Sequence, residues 1–393
     1  MPSKGPLDGL RVLDLTRLLP GPMCTLYLAD LGADVIKVED TGAGDYARAM
    51  DASGDKPSAF YRLVNRNKRS LSIDLKNPRG RDALLALVRT ADALIEGFRP
   101  GVMGNLGLDY ATLETIQPRL VYVSLSGYGQ SGPRALRAGH DINYLGYAGV
   151  LDQTGCRNGP PALGNVQLAD LLGGAAPAAI GMLAAMIGAM RTGFGRHVDV
   201  AMADGALAHN VFTMHALQRD GTVAERGSDL LTGGVPCYGV YETGDHRWLA
   251  VGALEAKFWE ALCGVVGRPD LVPLRLARGA DGARARRELE AIFASATLRE
   301  WLDRFGDIDA CVGPVATLEE ALYDPQFEAR GMFVAGGDGT KQFGPPFALS
   351  NPTFRVEREP PAQGEHSVEV LREAGLSTLA IDALLAEHAI LQA

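Results

Sequence analysis

The chain has 393 residues, of which 47% are hydrophobic and 22% are charged, and its formal net charge is −9. This length predicts two or three domains, and the balance of apolar and charged residues is that of an ordinary globular protein. The negative net charge argues against a general nucleic-acid binder, because phosphate binding needs a basic field. It still permits an anionic ligand that is held by a local group of basic residues.

The sequence favours a reducing, cytoplasmic compartment. The first six residues lack the apolar core of a signal peptide. The five cysteines are far apart and include no C-x-x-C pair, so neither a disulfide framework nor a zinc site is expected. Residues 171–190 are uncharged and long enough to cross a bilayer. They are mainly Ala and Gly, however, and they suit a buried helix, so we expect no membrane association.

The first part of the chain alternates apolar strands with helices. Strands are predicted at 11–15, 34–39, 70–75, 93–96 and 120–125. A helix at 23–31 lies between the first two, and this βαβ unit implies a parallel sheet. A further helix opens at Asn77-Pro78, where proline occupies a favoured first-turn position. The pattern predicts a large, doubly wound, Rossmann-like α/β domain.

The sequence pattern changes near residue 224. Before it, a strand at 197–201 and a helix at 204–218 continue the alternation. After it, short strands with turns are predicted over 233–245, and helices at about 256–264, 283–295 and 298–305. We therefore predict a large α/β domain over 1–224, a smaller α+β domain over 225–325, and a C-terminal segment, 326–393, that returns to the large domain.

Residues 127–132 match the G-x-G-x-x-G pattern of nicotinamide-dependent enzymes. A dinucleotide fingerprint lies in the first βα turn and opens a long helix. Here Pro133 follows directly, and the segment comes after a late strand. We therefore interpret it as a turn that needs positive φ or a close backbone approach.

Three residues suit proton-transfer chemistry at a carbon centre. His140 stands beside Asp141 after the glycine-rich turn, and Asp170 lies just before the long run of small apolar residues. Glu255 follows an apolar strand. A histidine and two separated acids can act as general acids and bases if the fold brings them together. The alternative for His140 is a purely structural role.

Basic residues gather around the predicted strand at 70–75. The run 62–69 contains four of them, and Lys76 follows the strand. Arg99 follows the strand at 93–96. Ligands of open α/β sheets bind at the carboxyl ends of the strands, so Lys76 and Arg99 are placed to hold an anionic cofactor. The alternative for the 62–69 run is a solvated surface loop.

The chain resembles the family III CoA-transferases (CaiB/BaiF type), and within them the α-methylacyl-CoA racemases. The resemblance extends over nearly the whole length. Its markers are residues 7–15, 20–22, 31–39, 67–71, 96–101, 126–133 and 309–312. The racemase positions are also filled: Gly-His-Asp-Ile-Asn-Tyr at 139–144, Leu-Ala-Asp at 168–170, and Val-Gly-Ala-Leu-Glu at 251–255. Two departures are Asp40, where racemases often carry arginine, and the long, transferase-like loop 40–66.

The resemblance implies an interlocked homodimer, with each chain threaded through the ring of the other. It implies no metal and no redox cofactor, and coenzyme A enters as part of the acyl-CoA substrate. The implied CoA contacts are Ile73, Asp74, Leu75, Lys76, Gly97, Arg99, Gly139, Asp141, Ile142, Asn143 and Tyr144. Asp40 in place of arginine leaves nucleotide contacts near that position open.

The implied activity is interconversion of (2R)- and (2S)-2-methylacyl-CoA. His140, paired with Glu255, acts on one face of the α-carbon and Asp170 on the other. The alternative activity is transfer of CoA between carboxylic acids, with Asp170 as a covalent nucleophile and His140 as a positioning or structural residue. The acyl group is open between branched fatty acid, bile-acid-like and aryl-propionyl thioesters.

Overall fold

The structure is a computed structural model that describes residues 5–51, 57–337, 339–350 and 354–393. The chain divides into two compact units. The first comprises the described residues within Met1–Ala148, Asn165–Asn210 and Gln326–Ala393. The second comprises Gly149–Gly164 and the described residues of Val211–Pro325.

The strands and helices follow one another along the chain as the alternating pattern predicts. The strands are β1 (Arg11–Leu15), β2 (Asp34–Glu39), β3 (Lys68–Ile73), β4 (Ala93–Glu96), β5 (Val121–Ser126), β6 (His197–Ala201), β7 (Tyr238–Glu242), β8 (Trp248–Gly252), β9 (Val312–Pro314), β10 (Phe333–Ala335), β11 (Lys341–Phe343) and β12 (Ile390–Leu391). The α-helices are α1 (Pro20–Asp30), α2 (Ala59–Asn65), α3 (Pro78–Val88), α4 (Val102–Asn105), α5 (Tyr110–Ile116), α6 (Asp141–Tyr147), α7 (Val150–Gln153), α8 (Ala176–Thr192), α9 (Met202–Ala208), α10 (Val211–Asp220), α11 (Ala256–Val265), α12 (Gly279–Phe293), α13 (Leu298–Phe305), α14 (Leu318–Ala321), α15 (Pro325–Ala329), α16 (Ser367–Glu373) and α17 (Thr378–Ala386). Short 3₁₀ segments lie at Tyr46–Ala49 and Pro269–Leu274, and a π-helical segment at Ala169–Ala175 leads into α8.

The first unit is built on a large sheet with the strand order β12-β3-β2-β1-β4-β5-β6. The neighbouring strands from β3 to β6 are parallel, and β12 joins the β3 edge in the antiparallel direction. Leu13 of β1 lies opposite Ile36 of β2 on one side and Leu94 of β4 on the other. All three are fully buried in one core cluster, as expected for a parallel sheet covered on both faces. The predicted doubly wound α/β fold is confirmed.

The basic run before β3 is part of this core. Arg66 forms an ion pair with Asp30 at 2.6 Å, and both side chains are almost completely buried. Lys68 and Arg69 belong to β3, and they pair with Asp14 and Asp34 respectively. The alternative of a solvated loop is therefore wrong for these three residues. The strand predicted at 70–75 is β3, which begins two residues earlier, at the charged residues Lys68 and Arg69, and ends two residues earlier, at Ile73.

The second unit has its own antiparallel sheet, in the order β7-β8-β9. Its helices pack on a core that includes Trp259, Phe293 and Trp301. The indole N–H of Trp259 donates to the carbonyl of Leu271 at 3.0 Å, and that of Trp301 donates to the carbonyl of Phe293 at 2.8 Å. Both buried indoles thus have partners. This unit comprises Gly149–Gly164 and Val211–Pro325; the smaller domain over 225–325 stays a prediction.

The segment predicted as a buried helix forms a continuous helix, Ala169–Thr192, of 24 residues. Its length and apolar composition would allow it to cross a membrane. In the first unit Ala178, Met182 and Met186 are buried. Ile180 and Ile187 on the same helix are exposed. The helix is thus only partly buried within the unit.

Candidate active site

The glycine-rich turn after β5 is shaped around the ring of Tyr144. Gly129 and Gly132 have positive φ values, of 82° and 92°. A Cβ atom on Gly127 would lie 2.4 Å from the Tyr144 ring, so any other residue at this position would displace the ring. The Tyr144 hydroxyl donates to the carbonyl of Gly139 at 2.6 Å. The turn therefore follows the interpretation of positive φ and close approach, and it fixes the start of the segment that carries His140.

His140 is the residue immediately before α6. Its backbone is extended, and its N–H donates to Oδ1 of Asn143 at 3.0 Å. This contact satisfies a backbone donor at the helix start. The His140 side chain is exposed. The imidazole is therefore held on a rigid backbone and is open to a substrate.

The segment 139–144 is joined to Asp170 by the side chain of Asp141. Oδ1 of Asp141 accepts a hydrogen bond from the N–H of Ala169 at 2.7 Å and another from the N–H of Asp170 at 3.0 Å. Hydrogen bonds to a carboxylate are stronger than those between neutral groups. His140 and Asp170 were predicted to act together, and Asp141, the residue after His140, connects their two segments.

Asp170 lies on the π-helical segment Ala169–Ala175. Such segments are rare and occur frequently at functional sites. Behind it, Gly173 contacts the backbone of α9: a Cβ atom on Gly173 would lie 2.4 Å from the carbonyl oxygen of Met202. A Cβ atom on Gly205 would lie 2.2 Å from the carbonyl oxygen of Gly173. This close backbone packing fixes the position of Asp170.

The surroundings of Asp170 change its proton affinity. Burial and the negative charge of Asp141 raise the pKa of Asp170 from 3.8 to about 6, although the charge of His140 acts in the opposite direction. The charge of Asp170, after burial, also contributes to raising the pKa of the Tyr144 hydroxyl to about 12. A carboxyl group with a pKa near 6 can both accept and return a proton close to neutral pH.

Glu255 belongs to the second compact unit. It stands directly before α11, and its backbone carbonyl accepts from the N–H groups of Phe258 and Trp259. Its side chain is exposed. Burial raises the pKa of Cys311, and the charges of Asp309 and Glu255 add to this effect. Its predicted pairing with His140 stays a prediction.

Two basic side chains predicted to hold an anion lie at the carboxyl edge of the large sheet. Lys76 follows β3 and Arg99 follows β4, and both are exposed. Asp74 accepts a hydrogen bond from the N–H of Lys76 at 2.8 Å, and Gly97, before Arg99, is exposed. Ile73 is buried in β3, whereas Leu75 is half-buried. Contact of these residues with CoA stays a prediction.

Sequence reasoning missed Arg17, which follows β1 at the same edge. Its guanidinium forms an ion pair with Asp40 at 2.8 Å. It also lies 5.1 Å from the ring centroid of Tyr46 and 5.8 Å from that of Phe98. The positive charge beside Asp40 therefore comes from Arg17, in the loop after β1, and not from a residue at the end of β2. Nothing in the local pattern around Arg17 indicated this, because the contact joins separate loops.

Among the described residues, no group of three or more His, Cys, Asp and Glu side chains is arranged to hold a metal ion.

The whole chain is similar in sequence to one enzyme family. The sequence profile of CoA-transferase family III matches residues 7–367. The chain belongs to this family.

Relatives with two different activities are similar to the chain. It is 36% identical over 375 residues to alpha-methylacyl-CoA racemase of Homo sapiens, covering 94% of each protein. It is 37% identical over 356 residues to acetyl-CoA:oxalate CoA-transferase of Acetobacter aceti, covering 88% of this chain and 90% of that protein. The crystal structure of a CAIB/BAIF family protein from Brucella suis is similar at a TM-score of 0.83 and 30% identity, covering 94% of this chain and all of that one. This chain is thus an enzyme of the CoA-transferase and racemase type.

Proposed function

We propose that this enzyme is a racemase that interconverts (2R)- and (2S)-2-methylacyl-CoA thioesters. The observation that carries the proposal is the link through Asp141 that joins the segment of His140 to Asp170. Inversion at the α-carbon requires that a proton leave one face and that another arrive at the opposite face. Two groups that exchange protons near neutral pH can perform these steps.

In the proposed reaction Asp170 and His140 act on opposite faces of the α-carbon. With Asp170 ionised and His140 protonated, Asp170 removes the α-proton and His140 donates a proton to the other face. In the reverse direction, neutral His140 removes the proton and protonated Asp170 returns one. Between the two transfers the thioester is an enolate, whose oxygen needs hydrogen-bond donors. Glu255 is proposed as a third catalytic residue, as the motif at 251–255 implies.

The CoA portion of the substrate is proposed to lie along the carboxyl edge of the large sheet. Lys76 and Arg99 supply positive charge there, and Arg17 adds a third cation. The loops at 73–76 and at Gly97, together with 139–144, are proposed to contact the CoA moiety. No metal or redox cofactor takes part in the proposed steps.

We also propose the interlocked homodimer and a cytoplasmic location. Large apolar side chains that are exposed in the single chain support the dimer. In the first unit they include Ile180 and Ile187 of α8, and in the second unit Val211 and Phe212 of α10. Exposed apolar surface of this kind marks protein interfaces. Analytical ultracentrifugation should give twice the mass of the chain, and a monomer at micromolar concentration would contradict the proposal.

Proton NMR of the purified enzyme with (2R)-2-methylacyl-CoA in D₂O, without any carboxylate acceptor, tests the racemase. We expect the α-proton signal to disappear while the 2S epimer accumulates. The Asp170→Ala variant should lose this exchange but still bind CoA. The matched control is Asp82→Ala, since Asp82 is an exposed carboxylate on α3. Full exchange by Asp170→Ala would contradict the assigned role.

A second candidate function is transfer of CoA between carboxylic acids. It is favoured by the 37% identity to acetyl-CoA:oxalate CoA-transferase of Acetobacter aceti. In this reaction the Asp170 carboxylate attacks the thioester carbonyl, CoA leaves as a thiolate, and an acyl anhydride forms on Asp170. Hydroxylamine should trap that intermediate. A trapped intermediate without any α-proton exchange would favour the transferase over the racemase.

A further inference from the structure

Two arginines outside the predicted site converge on one phenol. Arg134 and Arg137 occupy a turn in which the N–H of Arg137 donates to the carbonyl of Arg134 at 2.8 Å. The guanidinium carbon of Arg134 lies 4.3 Å from the centre of the Tyr147 ring. Hydrogen bonds and positive charge from both arginines lower the pKa of the Tyr147 hydroxyl. The guanidinium group of Arg134 thus lies over the Tyr147 ring, and Arg137 is close enough to act on the same side chain.

Neither arginine has a carboxylate partner within the described parts of the chain. This is unusual here, because Arg66 and Arg69 in the same unit form close ion pairs with aspartates. Both Arg134 and Arg137 are exposed, as is Tyr147. A phenol is a weaker acceptor for two guanidinium groups than an anion, since charge-assisted hydrogen bonds are roughly twice as strong as neutral ones. An oxyanion would therefore be preferred at this position.

The arginine pair is connected to the candidate active site by packed aromatic rings. The ring of Tyr128 lies edge to face with that of Tyr147 at 5.7 Å and with that of Tyr144 at 5.1 Å. Tyr144 in turn is close enough to Asp170 to feel its charge. Tyr147 also ends α6, the helix that begins directly after His140. An anion bound by the pair would lie one short helix away from the reacting groups.

We propose that Arg134 and Arg137 together bind an anionic group of the thioester substrate. The inference rests on the proposed acyl-CoA chemistry. The shared ligand chemistry is an oxyanion that accepts from both guanidinium groups. Its source is either a carboxylate at the far end of the acyl group or a phosphate of CoA. If the anion is an acyl carboxylate, the arginine pair contributes only to the binding of substrates that carry a free carboxylate. If it is a CoA phosphate, the pair contributes to the binding of every CoA compound.

Isothermal titration calorimetry with the full-length enzyme tests the proposal. The probes are free CoA, isobutyryl-CoA, which has no free carboxylate, and succinyl-CoA, which has one. The test variant is Arg134→Gln/Arg137→Gln. The control is Arg89→Gln/Arg119→Gln, which removes the same charge from two exposed arginines that precede β4 and β5. Circular dichroism verifies that both double variants are folded.

Two results support the proposal and identify the source. A loss of about tenfold or more in affinity for succinyl-CoA alone assigns the anion to the acyl carboxylate, because a lost charge-assisted contact weakens binding by this order. A similar loss for all three probes assigns it to a CoA phosphate. Unchanged affinities, or equal losses in the control variant, would overturn the proposal. Calorimetry measures binding and not catalysis. An enzyme that binds these probes but does not exchange the α-proton would contradict the proposed racemase activity without overturning this proposal.

Discussion

The carboxylate of Asp141 holds the backbone of Asp170 in place. It accepts the N–H groups of Ala169 and Asp170 at 2.7 and 3.0 Å. The same carboxylate raises the pKa of Asp170, after the larger effect of burial. One residue therefore both positions the candidate base and tunes its proton affinity. This dual role leads to a prediction that separates charge from position.

The Asp141→Asn variant should shift the titration of Asp170 to lower pH. The amide oxygen can still accept the two backbone hydrogen bonds, but the negative charge is gone. In the wild type, α-proton exchange in the direction in which Asp170 removes the proton should rise with pH through about 6, since Asp170 must be ionised to accept a proton. In the variant this rise should occur at lower pH. ¹³C NMR of labelled aspartate reads the same titration without activity; an unchanged Asp170 signal would contradict the prediction.

The Asp170→Asn variant should be more stable than the wild type at neutral pH. Because the pKa of Asp170 is raised from 3.8 to about 6, the folded state binds its proton more tightly than the unfolded state. Wild-type stability therefore falls as pH rises through this interval. We expect the variant to gain about 3 kcal/mol above pH 6 and nothing below pH 3.8. Urea unfolding across this range measures the difference, and a pH-independent difference would argue against it.

The fold could be predicted from sequence because buried parallel strands are apolar runs. Residues 11–15, 34–39 and 93–96 were predicted as strands with the bounds that the structure has. The predicted bounds of β3 lie two residues too late, because the strand begins with the charged residues Lys68 and Arg69. Their burial depends on aspartates of β1 and β2, which no local pattern reveals. Long-range ion pairs thus limited the prediction at this strand.

The candidate site could be predicted in part. His140 and Asp170 were singled out by motif, and the structure joins their segments through Asp141. The prediction placed Asp141 among CoA contacts, but one of its oxygens accepts two backbone N–H groups; direct contact with CoA stays a prediction. Arg134 and Arg137 were not singled out, since their meeting at Tyr147 depends on the path of a turn.

The Lys68→Met variant should be strongly destabilised. The Lys68 ammonium is fully buried and donates to Asp14 at 3.2 Å, to Asn65 at 2.9 Å and to the carbonyl of Pro22 at 3.0 Å. Burial raises the pKa of Asp14, but Lys68, Lys37 and two threonines together lower it to about 2. Loss of one buried partner costs about 3–5 kcal/mol.

Urea unfolding followed by circular dichroism measures this loss. The matched control is Lys76→Met, which removes an exposed lysine just after the same strand. Its stability should change by no more than about 0.5 kcal/mol. If the two variants unfolded at the same urea concentration, the buried ion pair would not have the stabilising role assigned to it.

The Gly173→Ala variant should lose activity because the new methyl group has no room. It would lie 2.4 Å from the carbonyl oxygen of Met202, so α9 and the π-helical segment must move apart. Overpacking of this kind costs about 1–3 kcal/mol, and it displaces Asp170 three residues earlier. We expect α-proton exchange to fall by about tenfold or more, since small misplacements of reacting groups are costly. The control is Gly188→Ala on α8, where the added carbon would lie 3.9 Å from Nε of Arg196, an ordinary van der Waals contact. That variant should keep full exchange and be as stable as the wild type or slightly more stable; equal activity of both variants would show that the Gly173 contact does not position Asp170.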